Sequence, residues 1–178
     1  MTQAQAAGSP RPESLYPRPG EVLRDFVLLS AAGKPVQLSD YRGRANLVLL
    51  LAGAQPVGSG RALLPALAAR YAQVLEEEAQ VMAVLCCTRE QAQVSKSRAR
   101  LPFLVLADPD GALHRKLGAL DARGAPRLAV YITDRFGQVF AAFRTGLGEP
   151  APGVDDILGW LEFINRQCPE CFPPEWPA

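Results

Sequence analysis

An α/β architecture, with a central β-sheet covered by helices on both faces, is predicted by three features of this sequence. Leu47 to Ala52 is an unbroken apolar run, which fits a strand buried on both faces. Its leucine content would also suit a buried helix, but Gly53, Pro56, Gly58 and Gly60 break any helix there and make a turn. A long segment with apolar residues three and four apart follows, and then a second apolar run, Gln80 to Cys87. Strand, turn, helix and strand in that order are the repeating unit of a helix-covered sheet.

The other elements follow along the chain. Arg18 to Ser30 holds a short strand, Gly33 a turn, and Pro35 to Leu38 a second short strand before a turn of helix capped by Ser39. In the long helix Leu63, Leu64, Leu67, Ala68, Tyr71, Val74 and Leu75 share one face, Ser59 stands as its N-cap, and Pro65 is expected to kink it. Thr88 opens a short helix. Leu101 to Gly111 is a strand and turn, after which Asp110 is expected to cap a helix over Ala112 to Leu117. Gly124 to Arg144 is a β-hairpin turning at Asp134 to Gly137. Val154 to Gln167 is an amphipathic helix with acidic residues in its first turn, and Ile157, Trp160, Leu161 and Ile164 should pack on the sheet.

At 178 residues the chain suits one domain with a substantial core. Residues 1–18 form a flexible tail, 19–167 the domain, and 168–178 a Pro-rich C-terminal tail. A net charge of +1 without a basic stripe gives no footprint for nucleic acid. No apolar run approaches the roughly 20 residues of a membrane span, and the N-terminus lacks a secretory signal pattern, so a cytoplasmic protein is expected. The four cysteines, Cys86, Cys87, Cys168 and Cys171, do not make the framework of a small secreted domain. Of the adjacent pair, one should face each layer of the fold, with Cys87 the more exposed thiol. His114, the only histidine, sits beside Arg115 and Lys116 and is expected at the surface.

Four stretches carry a family resemblance. Val36-Gln-Leu-Ser-Asp-Tyr-Arg-Gly43, Gln55-Pro-Val-Gly-Ser-Gly-Arg-Ala-Leu-Leu-Pro65, Leu101-Pro-Phe-Leu-Val-Leu-Ala-Asp-Pro-Asp-Gly111 and the hairpin at Tyr131-Ile-Thr-Asp-Arg-Phe-Gly137 are similar to motifs of the thioredoxin-like superfamily. The chain resembles its peroxiredoxin-like branch, the alkyl hydroperoxide reductase and thiol-specific antioxidant family, over roughly Pro19 to Gln167. The resemblance implies a thioredoxin-like fold with a central mixed sheet, antioxidant oxidoreductase activity, and a reactive cysteine at the turn after the first long strand. Matched on Arg61 and Pro65, the family's two cysteines fall at Val57 and Gly60. Matched on Pro56-Val57, the peroxidatic cysteine falls at Gly58. No thiol stands at any of these positions, and the turn Val57, Gly58, Ser59, Gly60 and Arg61 is a degenerate active site. The resemblance further implies a cis-proline facing that turn, for which Pro126 is the candidate, and an arginine aimed at it, for which Arg123 and Arg127 are the candidates.

What chemistry remains must use other groups. Ser59 has no visible base to activate it, and an N-cap role suits it better. Cys168-Pro-Glu-Cys171 has redox-motif spacing but follows a helix, where the dipole is negative, and Glu170 further opposes thiolate. Three roles compete for it: a pair cycling slowly with a thioredoxin-like reductant, half of an intersubunit zinc site, or a tail staple. Two function classes therefore stand. One is a thiol-dependent oxidoreductase using Cys168 and Cys171, with Cys87 as a further redox thiol. The other is a redox-inactive binding or scaffold module in which Arg61, Arg123 and Arg127 hold a small anion or a partner's carboxylate. No cofactor, metal, nucleic acid or membrane is expected, and a homodimer is left open.

Overall fold

The leucine-rich run from Asn46 to Gly53 is the central strand of a seven-stranded sheet. The computed structural model describes residues 16–55 and 59–167, residues 59–61 by their backbone alone. The strands are β1 (Val27–Ser30), β2 (Pro35–Gln37), β3 (Asn46–Gly53), β4 (Ala79–Cys86), β5 (Leu104–Ala107), β6 (Ala129–Thr133) and β7 (Val139–Arg144). The helices are α1 (Ser59–Ala69), α2 (Tyr71–Glu76), α3 (Arg89–Arg98), α4 (Ala112–Lys116) and α5 (Val154–Asn165). Strand order is β2-β1-β5-β4-β3-β6-β7. The centre, β5-β4-β3, is parallel, and β1, β2, β6 and β7 pair antiparallel with their neighbours. The sheet is mixed and helix-covered, as predicted.

Alternation along β3 divides the core into two layers. Val48, Leu50 and Ala52 face α1, α2, α3 and α5, where Leu67, Val74, Ala92, Ile157 and Leu161 are fully buried. Leu47, Leu49 and Leu51 face α4 and a 3₁₀ turn at Leu38–Tyr41. A strand covered on both faces needs no polar face, which is why its sequence shows none. Each fully buried leucine contributes about 2 kcal/mol.

Three local expectations are corrected. The segment expected as one long helix is two: Pro65 lies inside α1, and the helical run is interrupted at Arg70 (φ −112°, ψ 19°), which separates α1 from α2. Ser39 lies within the 3₁₀ turn and is not its cap: Gln37 precedes the turn, and the Asp25 carboxylate accepts the Ser39 N–H at 2.9 Å. Asp110 does not cap α4, whose preceding residue is Gly111 at φ +61°. Asp108, two residues earlier, accepts the His114 N–H at 2.9 Å instead. Thr88 does cap α3, its hydroxyl accepting the Gln91 N–H, and the hairpin turns at Asp134 to Gly137 as expected. At the start of the described chain, the Pro17 carbonyl already accepts from Arg144 at 3.3 Å.

Candidate functional site

Because β3, β4 and β5 are parallel, their C-terminal ends open on one edge, the place where helix-covered sheets present their sites. Gly53 is paired with Cys86, and Leu85 with Ala107. The backbone of Asp108 continues the pairing through its N–H to the Leu85 carbonyl at 2.9 Å. From the helical layer, the Ser95 hydroxyl of α3 donates to the Ala54 carbonyl at 3.1 Å, fixing the first residue beyond β3. The end of β3 thus stands beside Cys86 and is tied to α3 through Ser95, with Asp108 one strand further along the same edge. Asp108 and Ser95 carry no sequence signal for a role at this edge; the fold alone brings them to Cys86 and the end of β3.

The two adjacent thiols do face opposite layers, but in the reverse of the expected order. Cys87 lies in the helical layer, 7 % exposed, and burial pushes its thiol up to about 11. Cys86 is the half-exposed one and lies against Gly111, where an added Cβ would stand 3.3 Å from its sulfur. Its thiol is also raised, first by burial and then by the Asp108 charge, with Arg115 acting in the other direction. Neither environment favours the thiolate that thiol chemistry requires.

His114 is not at the surface; it is fully buried beneath this edge. Its Nδ1 lies 2.7 Å from Oδ2 of Asp108 and its Nε2 lies 3.1 Å from the Ala52 carbonyl oxygen. Asp108, itself 2 % exposed, is held below the usual carboxylate range: burial works against this, and hydrogen bonds from the His114 ring and backbone outweigh it. The flanking Arg115 and Lys116 suggest a solvated helix face. A helix of one turn and a half nevertheless turns its middle residue inward, and Asp108 meets it there.

Residues 119–127 form the remaining wall. Pro126 packs on Gly53, whose added Cβ would meet the proline Cβ at 3.6 Å, so the candidate proline does stand beside the end of β3. Its peptide bond is trans, since the described residues contain no cis bond, and the expected cis geometry is corrected. The loop is fastened by the Asp121 carboxylate, which accepts from the N–H groups of Arg123 and Ala125, each at 2.9 Å. The same carboxylate takes two bonds from the Arg127 guanidinium, at 2.6 and 3.0 Å. Those backbone and guanidinium bonds hold Asp121 below the usual carboxylate range. Arg127 is therefore engaged by its own loop, whereas Arg123 stands exposed at the loop tip.

The AhpC/TSA family model matches residues 19–142. The chain belongs to the AhpC/TSA family. Solved structures agree in fold. The peroxidoxin BcpB from Mycobacterium tuberculosis is 16 % identical with a TM-score of 0.70, over 84 % of this chain and 99 % of that one. AhpC of Enterococcus faecalis is 18 % identical at 0.73, over 90 % and 98 %. A cysteine-to-serine mutant of peroxiredoxin 6 from Arenicola marina is 18 % identical at 0.68, over 83 % and 73 %. No curated protein sequence matches significantly. The chain is thus a thioredoxin-like, peroxiredoxin-like member of an antioxidant redoxin family.

Within this AhpC/TSA domain the β3–α1 connection, where the degenerate turn is expected, leads into α1, which begins at Ser59. Val57 and Gly58 lie outside the described residues, as do Cys168 and Cys171. Gly60 and Arg61 are placed in the first turn of α1 by their backbone. Among the described residues no cluster of three or more His, Cys, Asp or Glu could hold a metal. No helix among them is long and apolar enough to cross a membrane.

Proposed function

We propose that this AhpC/TSA chain has given up peroxide reduction at the β3–α1 turn and retains slow thiol–disulfide exchange through Cys168 and Cys171. One observation carries the reading: no cysteine occurs before Cys86, so the family's reactive position has no sulfur, while Cys86 and Cys87 sit where thiolate is disfavoured. The Cys-Pro-Glu-Cys spacing supports a two-electron cycle. The thiolate of one cysteine attacks a substrate disulfide, forming a mixed disulfide and expelling one substrate thiol. The second cysteine then displaces the other substrate thiol and closes the Cys168–Cys171 disulfide. A thioredoxin-like dithiol would return both cysteines to thiols. The helix C-terminus and Glu170 keep the attacking thiol weakly activated, which makes the exchange slow. A zinc role is poorly supported: two ligands of four are supplied, and His114 is buried with both ring nitrogens engaged.

A redox-inactive binding module is the second reading, and the raised thiols of Cys86 and Cys87 favour it. Its anion would be held by Arg61 and Arg123, because Arg127 is taken by Asp121. Free-thiol counting with mass mapping after mild oxidation separates the two readings. The first expects a Cys168–Cys171 disulfide with Cys87 still a thiol. Two unpaired C-terminal thiols under the same oxidation would sink it.

A further inference from the structure

A recess of about 410 Å³ lies at the opposite end of the sheet, where Gln80 near the start of β4 is paired with Leu47 near the start of β3. That volume is near the small end of ligand pockets, which suits a small molecule. Pro35, Val36 and Ala45 give the recess an apolar wall, and Tyr41, Arg44 and Gln80 bring donors to it. The Arg44 guanidinium, the Tyr41 hydroxyl and the Gln80 amide nitrogen are bonded to no other group among the described residues. Gln80 is oriented by its oxygen, which accepts the Tyr71 O–H at 2.8 Å and leaves the amide N–H groups free. Tyr41 remains a phenol at neutral pH, because burial and then the Asp40 charge raise it.

Asp40 lines the same recess, its carboxylate accepting the Gln37 N–H at 3.4 Å. Asp40 and Arg44 stand at i and i+4, the spacing that pairs opposite charges on a helix. Here the 3₁₀ turn ends at Tyr41, Arg42 is extended (φ −62°, ψ 135°) and Gly43 turns left-handed at φ +72°, so the helical path stops between them. Among the described residues neither takes part in an ion pair. A carboxylate and a guanidinium thus line one small space without neutralising each other.

We propose that this recess binds a free α-amino acid with an apolar side chain: Arg44, Tyr41 and Gln80 take its carboxylate, Asp40 its ammonium, and the apolar wall its side chain. A lone anion would be opposed by Asp40 and a lone cation by Arg44, whereas a zwitterion meets both charges favourably. A wholly apolar ligand would strip water from the donors without replacing its hydrogen bonds. Asp40 and Arg44 are exposed, so each charged contact contributes little, and a Kd on the order of 1 mM is expected. The site lies at the far edge from Cys86 and Asp108, and neither reading of the thiols bears on it.

Proton–nitrogen correlation spectra of the ¹⁵N-labelled full chain, titrated with L-leucine, test this. Leucine should shift the amides of Val36, Asp40 to Ala45 and Gln80, and the shifts should saturate. N-acetyl-L-leucine lacks the ammonium, L-leucinamide lacks the carboxylate and glycine lacks the side chain, so each should bind at least about fivefold more weakly. Arg44→Gln and Asp40→Asn are surface changes, and the second keeps an acceptor for the Gln37 N–H. Each should weaken leucine about fivefold and leave distant resonances in place. The analogue series on the parent chain stands by itself if a variant folds poorly. Shifts that do not saturate by about 20 mM leucine overturn the proposal. Equal binding of leucine and its acetylated form overturns it too, by showing an anion site only, as does leucine binding that neither variant weakens.

Discussion

The imidazole Nε2 of His114 lies 3.1 Å from the carbonyl oxygen of Ala52, joining a helix after β5 to the last buried residue of β3. Removing the ring leaves the Asp108 carboxylate in the interior with only backbone donors. His114→Ala should therefore cost about 3–5 kcal/mol, the range for breaking a buried pair by deleting one partner. Urea unfolding at neutral pH measures it. A loss below about 1 kcal/mol would show that the pair is not buried in solution.

Asp134 at the hairpin turn gives a pH dependence of known sign. Its carboxylate accepts the N–H groups of Phe136 and Gln138 at 2.9 Å, yet burial raises it above its ordinary value of 3.8. The folded state thus binds this proton more tightly than the unfolded chain does. The contribution is full below about pH 3.8 and is lost as pH rises through the higher folded value. Asp134→Asn keeps an acceptor for both N–H groups and removes the charge. The variant should be more stable than the parent at pH 7, with the gain vanishing near pH 3, and paired urea titrations at the two pH values check this.

Thiol labelling should separate Cys86 from Cys87. With its thiol at about 11, Cys87 is thiolate in only roughly 3 molecules in 10,000 at pH 7.5, so it should react about a hundredfold slower than in the unfolded chain. Cys86, half-exposed, should label first of the two. Timed alkylation followed by peptide mass mapping gives the order.

The loop that carries Pro126 should depend on Asp121 more than on Arg127. Asp121→Ala removes two backbone bonds and the guanidinium contact together, whereas Arg127→Ala removes only an exposed ion pair. Limited proteolysis at Arg123 should accelerate strongly in the first variant and little in the second. Equal cleavage rates would mean that the guanidinium, not the turn, holds the loop.

Much of the fold was legible because its signals are local. The apolar run of β3, the glycines after it, the Thr88 cap and the Asp134 turn each act within a few residues. The errors share a different cause. The long helical pattern is split at Arg70, where buried Leu67 and Val74 on either side keep the periodic spacing that reads as one helix. Which of Cys86 and Cys87 is exposed depends on what covers each face, and Ala92 of α3 lies in the same buried layer as Cys87. His114 read as a surface residue from its basic neighbours, because the groups that bury it, Asp108 and Ala52, are brought to it by the β3-β4-β5 register. Of the candidate site the motif gave only an expected place for a sulfur, and spacing could not show that Asp108 and the buried His114 stand beside the end of β3.

Disulfide exchange by the full chain, compared with its Cys168→Ser/Cys171→Ser variant, tests the proposed function most directly. With a small disulfide substrate and a dithiol reductant, the parent should turn over slowly, the double variant should fall to the uncatalysed rate, and neither should consume hydrogen peroxide faster than an ordinary thiol. Rapid peroxide consumption by the parent, or exchange that survives in the double variant, would contradict it.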